Sequence, residues 1–336
     1  MITLRCIKIL SLFNYKTVTQ LIVFIVGIFV IHYCFYFEHH TEYPSLSIPF
    51  NLSTNVQIVN LTAPLKVNFQ CIPTKVLLSN ISTHICLHST KKDKYISRAF
   101  QPLSSIWEEE QVIRILQILS RHPHLHFIDI GANIGAYTMF VASLGRFVLA
   151  IDCFQPNILR LTRAIQLAYV INRVVLVQNA IFTQSGQFVR LSVDTTNIGG
   201  QTIALMNNRS VKYHTKTNHS LDNPYIVRTI TFDDLLPILQ SHGIFNVIIK
   251  MDIEGNESFV IESGQRIFET LNVLFIQMEW KLVRLQENRM RIILDFLLSR
   301  HYFVLTSSCQ ILSFNTSNLW PDEVYCVKEN ISNFCS

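Results

Sequence analysis

Phe127-Ile128-Asp129-Ile130-Gly131-Ala132-Asn133-Ile134-Gly135 runs from an apolar segment straight into a glycine turn. Leu125 to Ile130 has strand length and β-branched residues at Ile128 and Ile130, so it reads as a buried strand. Gly131 and Gly135 mark a tight turn in which backbone approaches a neighbour closely. Ala136 to Ala142 continues at helical spacing, and Gly145 can end that helix. A strand, a glycine turn and a helix start together present backbone N–H groups and a positive dipole end to an anionic group.

Phe147 to Ile151 follows as a second apolar strand, with Asp152 at its C-terminal end. An acid about twenty residues past a glycine turn is where ribose hydroxyls are gripped in dinucleotide-type folds. That pattern wants a further glycine where Asn133 stands, so that backbone can meet a pyrophosphate. A cofactor with ribose and adenine but no phosphate, such as S-adenosylmethionine, relaxes the need. Asp129 would then hold its methionyl ammonium and the turn amides its carboxylate. The plainer reading of the same residues is a βα turn of a sheet protein with no ligand.

The 336 residues allow one large domain or two small ones. Val18 to Phe37 is uncharged and long enough to span a hydrocarbon core. Arg5, Lys8 and Lys16 precede it, and no acid occurs before Glu38. The positive-inside bias therefore predicts a type II single-pass protein: tail 1–17, signal anchor 18–37, lumenal stem 38–80 and a domain over 81–336. A cleavable signal peptide fits less well, because His32-Tyr33-Cys34-Phe35 offers no small-residue cleavage site. Asn-X-Ser/Thr sequons at Asn51, Asn60, Asn80, Asn208, Asn218, Asn256, Asn315 and Asn330 all follow the apolar segment. They point to the lumen of the ER or Golgi. Six cysteines follow the anchor, with Cys71/Cys86 and Cys309/Cys326 as the sequence-near pairs. The net charge of +5 comes without a basic, aromatic-interleaved run, so nucleic acid is not an expected partner.

From Ser105 the chain alternates. Ser105-Ile106-Trp107-Glu108 reads as a capping box, with Val112, Leu116 and Leu119 at helical spacing behind it. Beyond Asp152 the pattern predicts a helix over 157–169 and strands over 174–177 and 188–193. Further on it predicts a strand over 245–251, a helix over 257–268, a strand over 273–278, a helix over 290–298 and a strand over 302–305. Alternating strands and helices mean a doubly wound, mostly parallel sheet, whose ligands bind outside the carboxyl ends of the strands. Asp129, Asp152, Asp252 and Glu279 all stand at such ends.

A second dense stretch, Lys250-Met251-Asp252-Ile253-Glu254-Gly255, again reads as strand, turn and helix. Together with the Asp129 to Gly135 turn it resembles the FkbM-type methyltransferase family, whose marks are D-x-G-A-N-x-G and K-x-D-x-E-G in this order. Ile106-Trp107-Glu108, Asn179-Ala180, Asn197-Ile198-Gly199-Gly200 and Thr229 to Asp234 fit as well. With its anchor, the chain looks like the membrane-anchored animal-type branch. The resemblance covers about residues 81–330. It implies a Rossmann-like class I methyltransferase fold with a seven-stranded sheet and an antiparallel last strand. It also implies S-adenosylmethionine as donor and an oxygen, often of a sugar, as acceptor. By position, Asp129, Gly131, Asn133 and Gly135 would line the methionyl end, Asp152 would grip the ribose, and Asn179 would complete the cofactor site. The family commonly has Glu-Pro where Asp152-Cys153-Phe154-Gln155-Pro156 stands, which loosens the register of that acid.

Methyl transfer asks mainly for positioning. A sugar hydroxyl is a weak nucleophile, so a base adds about 10²–10⁴ in rate. Asp252 is the first candidate for that base and Glu254 the second. Alternatively both hold a divalent cation, with oxygen ligands suiting magnesium. Lys250 can be a strand-end charge paired with one of them. The expected function is O-methylation of glycans or glycoconjugates by a Golgi or ER membrane protein. The competing class is a catalytically inactive methyltransferase-fold binding module on the same membrane.

Overall fold

The structure is a computed structural model describing residues 51–101, 105–204, 223–328 and 334. The chain divides into two compact units, Met1–Leu46 and Ser47–Ser336, and every described residue belongs to the second. The expected anchor, Val18 to Phe37, lies outside the described residues. Among those described, no helix is long and apolar enough to cross a membrane.

The chain begins with a hairpin, β1 (Gln70–Pro73) and β2 (His84–Leu87), followed by a short helix α1 (Ile96–Ala99). The alternating part follows: α2 (Glu109–Arg121), β3 (His126–Ile130), α3 (Thr138–Ser143), β4 (Val148–Asp152), α4 (Gln155–Leu167) and β5 (Val174–Gln178). Three short strands come next: β6 (Ala180–Ile181), β7 (Phe188–Arg190) and β8 (Ile226–Ile230). The second half runs α5 (Leu236–Ser241), β9 (Asn246–Met251), α6 (Glu257–Ser263), α7 (Gln265–Thr270) and β10 (Asn272–Glu279). It closes with α8 (Glu287–Ser299), β11 (Phe303–Leu305) and β12 (Glu323–Val327).

Among the described residues the main sheet has seven strands in the order β11-β12-β10-β9-β3-β4-β5. β12 runs antiparallel to both of its neighbours, and the other pairings are parallel. This is the expected mostly parallel seven-stranded sheet with its last strand antiparallel. β3 sits between β4 and β9, so the strand order reverses beside it and leaves a crevice at the carboxyl ends. The interiors of β3, β4, β5 and β9 are buried on both faces, which is why they read as continuous apolar runs. α2 turns Val112, Ile115, Leu116, Ile118 and Leu119 inward at helical spacing. Each such side chain contributes about 1.5–3 kcal/mol by burial.

Several expectations are corrected. Glu108 is the N-cap of α2 in a left-handed conformation (φ 51°), without a side-chain cap bond, so Ser105 to Glu108 is not a capping box. The strand expected over 188–193 leaves the main sheet and pairs with β8, for which the sequence pattern predicts no strand. The helix expected over 257–268 breaks at Gly264, where a Cβ would lie 2.5 Å from Phe232 Cδ1 and 2.6 Å from the Val260 carbonyl oxygen.

The globular part also starts well before Ile81. Val59 N–H donates to Leu176 O and Gln178 N–H to Gln57 O, so residues 57–59 cover the free edge of β5. Val56 and Leu61 are buried there. The Cys71–Cys86 disulfide joins directly opposed residues of the hairpin. Arg160 on α4 donates to Leu87 O, and His88 pairs with Asn157, fastening that hairpin to the sheet's helical layer. The Cys309/Cys326 pair does not form. Cys326 is a free, buried thiol on β12, and Cys309 is bonded to another cysteine.

Candidate active site

A cavity of about 320 Å³ opens at the carboxyl ends of β3, β4, β5, β9 and β10. Its size suits a small-molecule site. Gly131 and Asn133 line it from the turn after β3. Gly131 has φ +82°, and a Cβ there would lie 1.8 Å from the Asp252 carbonyl oxygen. The second turn therefore rests its backbone on the first, and only glycine admits the contact. Asn133 also takes a left-handed φ of 51°, a conformation asparagine tolerates. Its Oδ1 accepts from Ile134 N–H, and its own N–H donates to Asp152 Oδ2 at 2.9 Å. Gly135 does not reach the cavity. A Cβ there would meet Leu161 Cδ1 at 2.5 Å, so its smallness serves the packing of α4.

Asp129 departs from the expected role. It is fully buried, and Oδ2 accepts from Thr138 N–H at 3.1 Å and Thr138 Oγ1 at 2.6 Å, which fastens the start of α3. Its other oxygen, Oδ1, is buried with no hydrogen bond. Burial raises its pKa, against the opposing pull of Lys250, which faces it across the β3–β9 pair.

Asp152 does stand in the cavity wall. Its carboxylate accepts from Phe154 N–H (2.8 Å), Asn133 N–H (2.9 Å) and Asn157 Nδ2 (3.3 Å). A carboxylate has about four acceptor positions, so one remains for a ligand hydroxyl. Burial pushes its pKa up to about 7. Asn179 lines the cavity too, but its amide is spent elsewhere. Oδ1 accepts from Gln57 N–H, and Nδ2 donates to the carbonyls of Asn55 and Arg228. It holds residues 55–57 to the end of β5, and both of its amide N–H donors are used there.

The second turn carries the acids. Lys250 Nζ donates to Asp252 Oδ2 at 3.1 Å and to Gly131 O at 3.3 Å, and lies 5.1 Å from the centroid of the Tyr137 ring. Burial disfavours its charge, but Asp252, Asp129 and Glu108 outweigh that and raise its pKa. Glu254, at φ 57°, is pushed up to about 7 by burial and then by Asp252 and Glu257. Glu279, ending β10, is pushed up to about 8 by burial and then by Asp252 and Glu254, and its Oε2 is buried without a partner. Asp252, Glu254 and Glu279 all line the cavity. Among the described residues no three acids, histidines or cysteines converge as metal ligands.

Two parts of the wall were missed as functional in the sequence. Glu108 lines the cavity, because the αL turn before α2 swings it inward. The segment around Gly199 closes another side, with Asn157 Nδ2 donating to Gly199 O and a Gly199 Cβ placed 2.6 Å from Asn133 Oδ1. The adjacent glycines Gly199 and Gly200 were the signal available for it. Asn256, a formal sequon residue, is 2% exposed. Its amide donates to Thr202 Oγ1 and Ile253 O and accepts from Arg289.

Among solved structures, the chain resembles an O-methyltransferase from Bacillus cereus in complex with SAH. That match has 12% identity, a TM-score of 0.35, and covers 65% of this chain and 80% of that one. A precorrin-6y C5,15-methyltransferase from Geobacter metallireducens also matches at 12% identity, with TM-score 0.31 and coverage of 65% and 87%. A fibrillarin/Nop5p complex matches at 12%, with TM-score 0.35 and coverage of 75% and 94%. No curated protein matches the chain. The family model described as the methyltransferase FkbM domain matches residues 129–304, just over half of the chain and the stretch that holds both turns. The chain belongs to the FkbM-domain methyltransferase family.

Proposed function

We propose that this protein transfers a methyl group from S-adenosylmethionine to a hydroxyl oxygen of a sugar in glycans or glycoconjugates. The observation that carries the reading is the seat of the Asp252 carbonyl on Gly131, which brings both family turns to one cavity. The wall suits a donor bearing a sulfonium and an ammonium: six acids line it against two lysines, and Glu279 offers an unpartnered oxygen. When bound, S-adenosylmethionine supplies an activated methyl group. Gly131 and Asn133 shape the floor beneath it, and the open acceptor position of Asp152 faces ribose hydroxyls. Asp252, fixed by Lys250, and Glu254 beside it orient the acceptor hydroxyl. Holding the reactants in line supplies up to about 7–11 kcal/mol of the barrier.

The setting proposed is an ER or Golgi membrane, with the chain anchored by Val18 to Phe37 as in the animal-type branch. The charge asymmetry around that segment, the Cys71–Cys86 bridge and the exposed sequons Asn51, Asn60, Asn80 and Asn315 support a lumenal domain. Protease treatment of intact microsomes should spare a C-terminal tag, and a digested tag would refute the topology. The function is tested with full-length protein, methyl-labelled S-adenosylmethionine and a glycan panel. Label on sugars is the expected result. A protein that binds the donor yet labels no sugar would refute the acceptor class, and one that binds no donor would refute the enzyme.

A further inference from the structure

Glu108 is singled out by three independent features. It is a non-glycine residue held at φ 51°, ψ 44°, in the left-handed region, and such strain concentrates at functional sites. It lines the cavity rather than capping its helix. It is also fastened from behind: Tyr137 Oη donates to Glu108 Oε2 at 2.8 Å and accepts from Gln277 Nε2 at 2.8 Å. Gln277 in turn donates to Glu323, which also accepts from Gln111. The buried chain locks one oxygen of Glu108, and Oε1 takes no hydrogen bond among the described residues. A base oriented by a third group is the arrangement general-base sites use. Of the competing acids, Glu254 and Glu279 lack such a tether. No hydrogen bond to the Glu254 carboxylate is found among the described residues, and Glu279 Oε2 is unpartnered. Asp252 already carries the Lys250 ion pair.

We propose that Glu108 is the general base of the reaction and that Tyr137 is its positioning residue. The proposal rests on the methyl-transfer reading above. The acceptor oxygen bonds to the methyl carbon, and the carbon–sulfur bond breaks with its electron pair passing to sulfur. The hydroxyl proton passes to Glu108 Oε1. No oxidant, reductant or metal is needed for that balance. The groups that set Glu108's charge are Lys250 on β9, Asp252 in the turn after it, Glu323 on β12 and Tyr137 before α3. Burial is the largest influence and pushes its pKa up to about 7, so it sheds a proton readily into neutral solution after each turnover.

The test uses full-length wild type, Glu108→Gln, Glu108→Asp and Tyr137→Phe, each checked by thermal melting. Calorimetry with S-adenosylhomocysteine should show Glu108→Gln binding within about threefold of wild type. Turnover on the glycans that wild type methylates should fall by about 10²–10⁴. Wild-type kcat should rise with pH through about 7. That limb should vanish in Glu108→Gln, persist in Glu108→Asp, and move to higher pH in Tyr137→Phe, because the lost O–H donor had favoured the carboxylate. Near-normal turnover with an unchanged pH limb in Glu108→Gln overturns the proposal. So does a tenfold or greater loss of S-adenosylhomocysteine affinity, which would make Glu108 a donor ligand. If wild type itself binds no donor, the methyl-transfer reading fails first, a result distinct from either.

Discussion

Replacing Gly131 by alanine tests the junction on which the site is built. A left-handed φ of +82° costs a non-glycine residue about 1–2 kcal/mol. The new Cβ would also stand 1.8 Å from the Asp252 carbonyl oxygen and 2.9 Å from its carbonyl carbon, both backbone atoms. They cannot yield by a rotamer change. The turn can yield only by drawing Asp252 away from Lys250 and Gly131 O, and overpacking of this kind costs about 1–3 kcal/mol more. Gly243 supplies the control: φ is +67°, and a Cβ there meets nothing within 4 Å. Gly243→Ala should therefore cost only the conformational part. Urea denaturation should place Gly131→Ala about 2–5 kcal/mol below wild type and Gly243→Ala about 1–2 kcal/mol below. Gly131→Ala should also lose S-adenosylhomocysteine affinity, whereas Gly243→Ala should keep it. Equal destabilisation of the two variants would refute the claim that backbone contact, rather than φ alone, demands glycine at 131.

Asn179→Ala should destabilise by about 2–3 kcal/mol in denaturant melts, for the three hydrogen bonds lost, while donor affinity stays within a few-fold. A large affinity loss with normal stability would restore it as a cofactor ligand. Asp252→Asn should leave S-adenosylhomocysteine binding within a few-fold and lower turnover ten- to a hundredfold, the worth of one charge-assisted hydrogen bond. Unchanged turnover on glycans would remove it from the acceptor end. Stability should fall as pH rises from 6.5 to 8, read as a declining melting temperature of the donor-free protein. Asp152, Glu108 and Glu254 near 7, with Glu257 and Glu279 near 8, bind more protons folded than unfolded in that window. Burial lowers His88 and His126 to about 4, which acts in the opposite sense up to about pH 7.5, one unit above their ordinary value of 6.5, but two histidines near the end of their titration are outweighed by the five acids. A melting temperature that rises across the window would contradict the burial of these acids. Glycopeptide mass spectrometry should find Asn256 unmodified and the exposed Asn60 and Asn315 occupied. An occupied Asn256 would move that turn to the surface.

The alternation of apolar runs and glycine turns was enough to predict a doubly wound sheet, because buried parallel strands must be apolar on both faces and such runs are local. The same locality made the two turns legible. Gly131, Asn133, Asp252 and Glu254 each follow a strand within a few residues, and parallel strands deliver their carboxyl ends to one edge. What Asp129, Gly135 and Asn179 do was decided by tertiary structure. Asp129 is claimed by Thr138, Gly135 by Leu161 and Asn179 by a segment more than a hundred residues earlier. Residues 55–63 read as a polar stem because their few apolar side chains follow no period, yet they fit an open strand edge that exists only once β5 is in place. Glu108 shows the limit most plainly. Its local spacing matches a helix cap, but a left-handed turn swings it inward, and Tyr137, Gln277 and Lys250, from three other parts of the chain, fasten or balance its carboxylate there. A sequence constrains what each strand end can carry. Which of those groups remain free to act is settled by the neighbours that folding brings to them, since a buried polar group must be satisfied by whatever lies within reach.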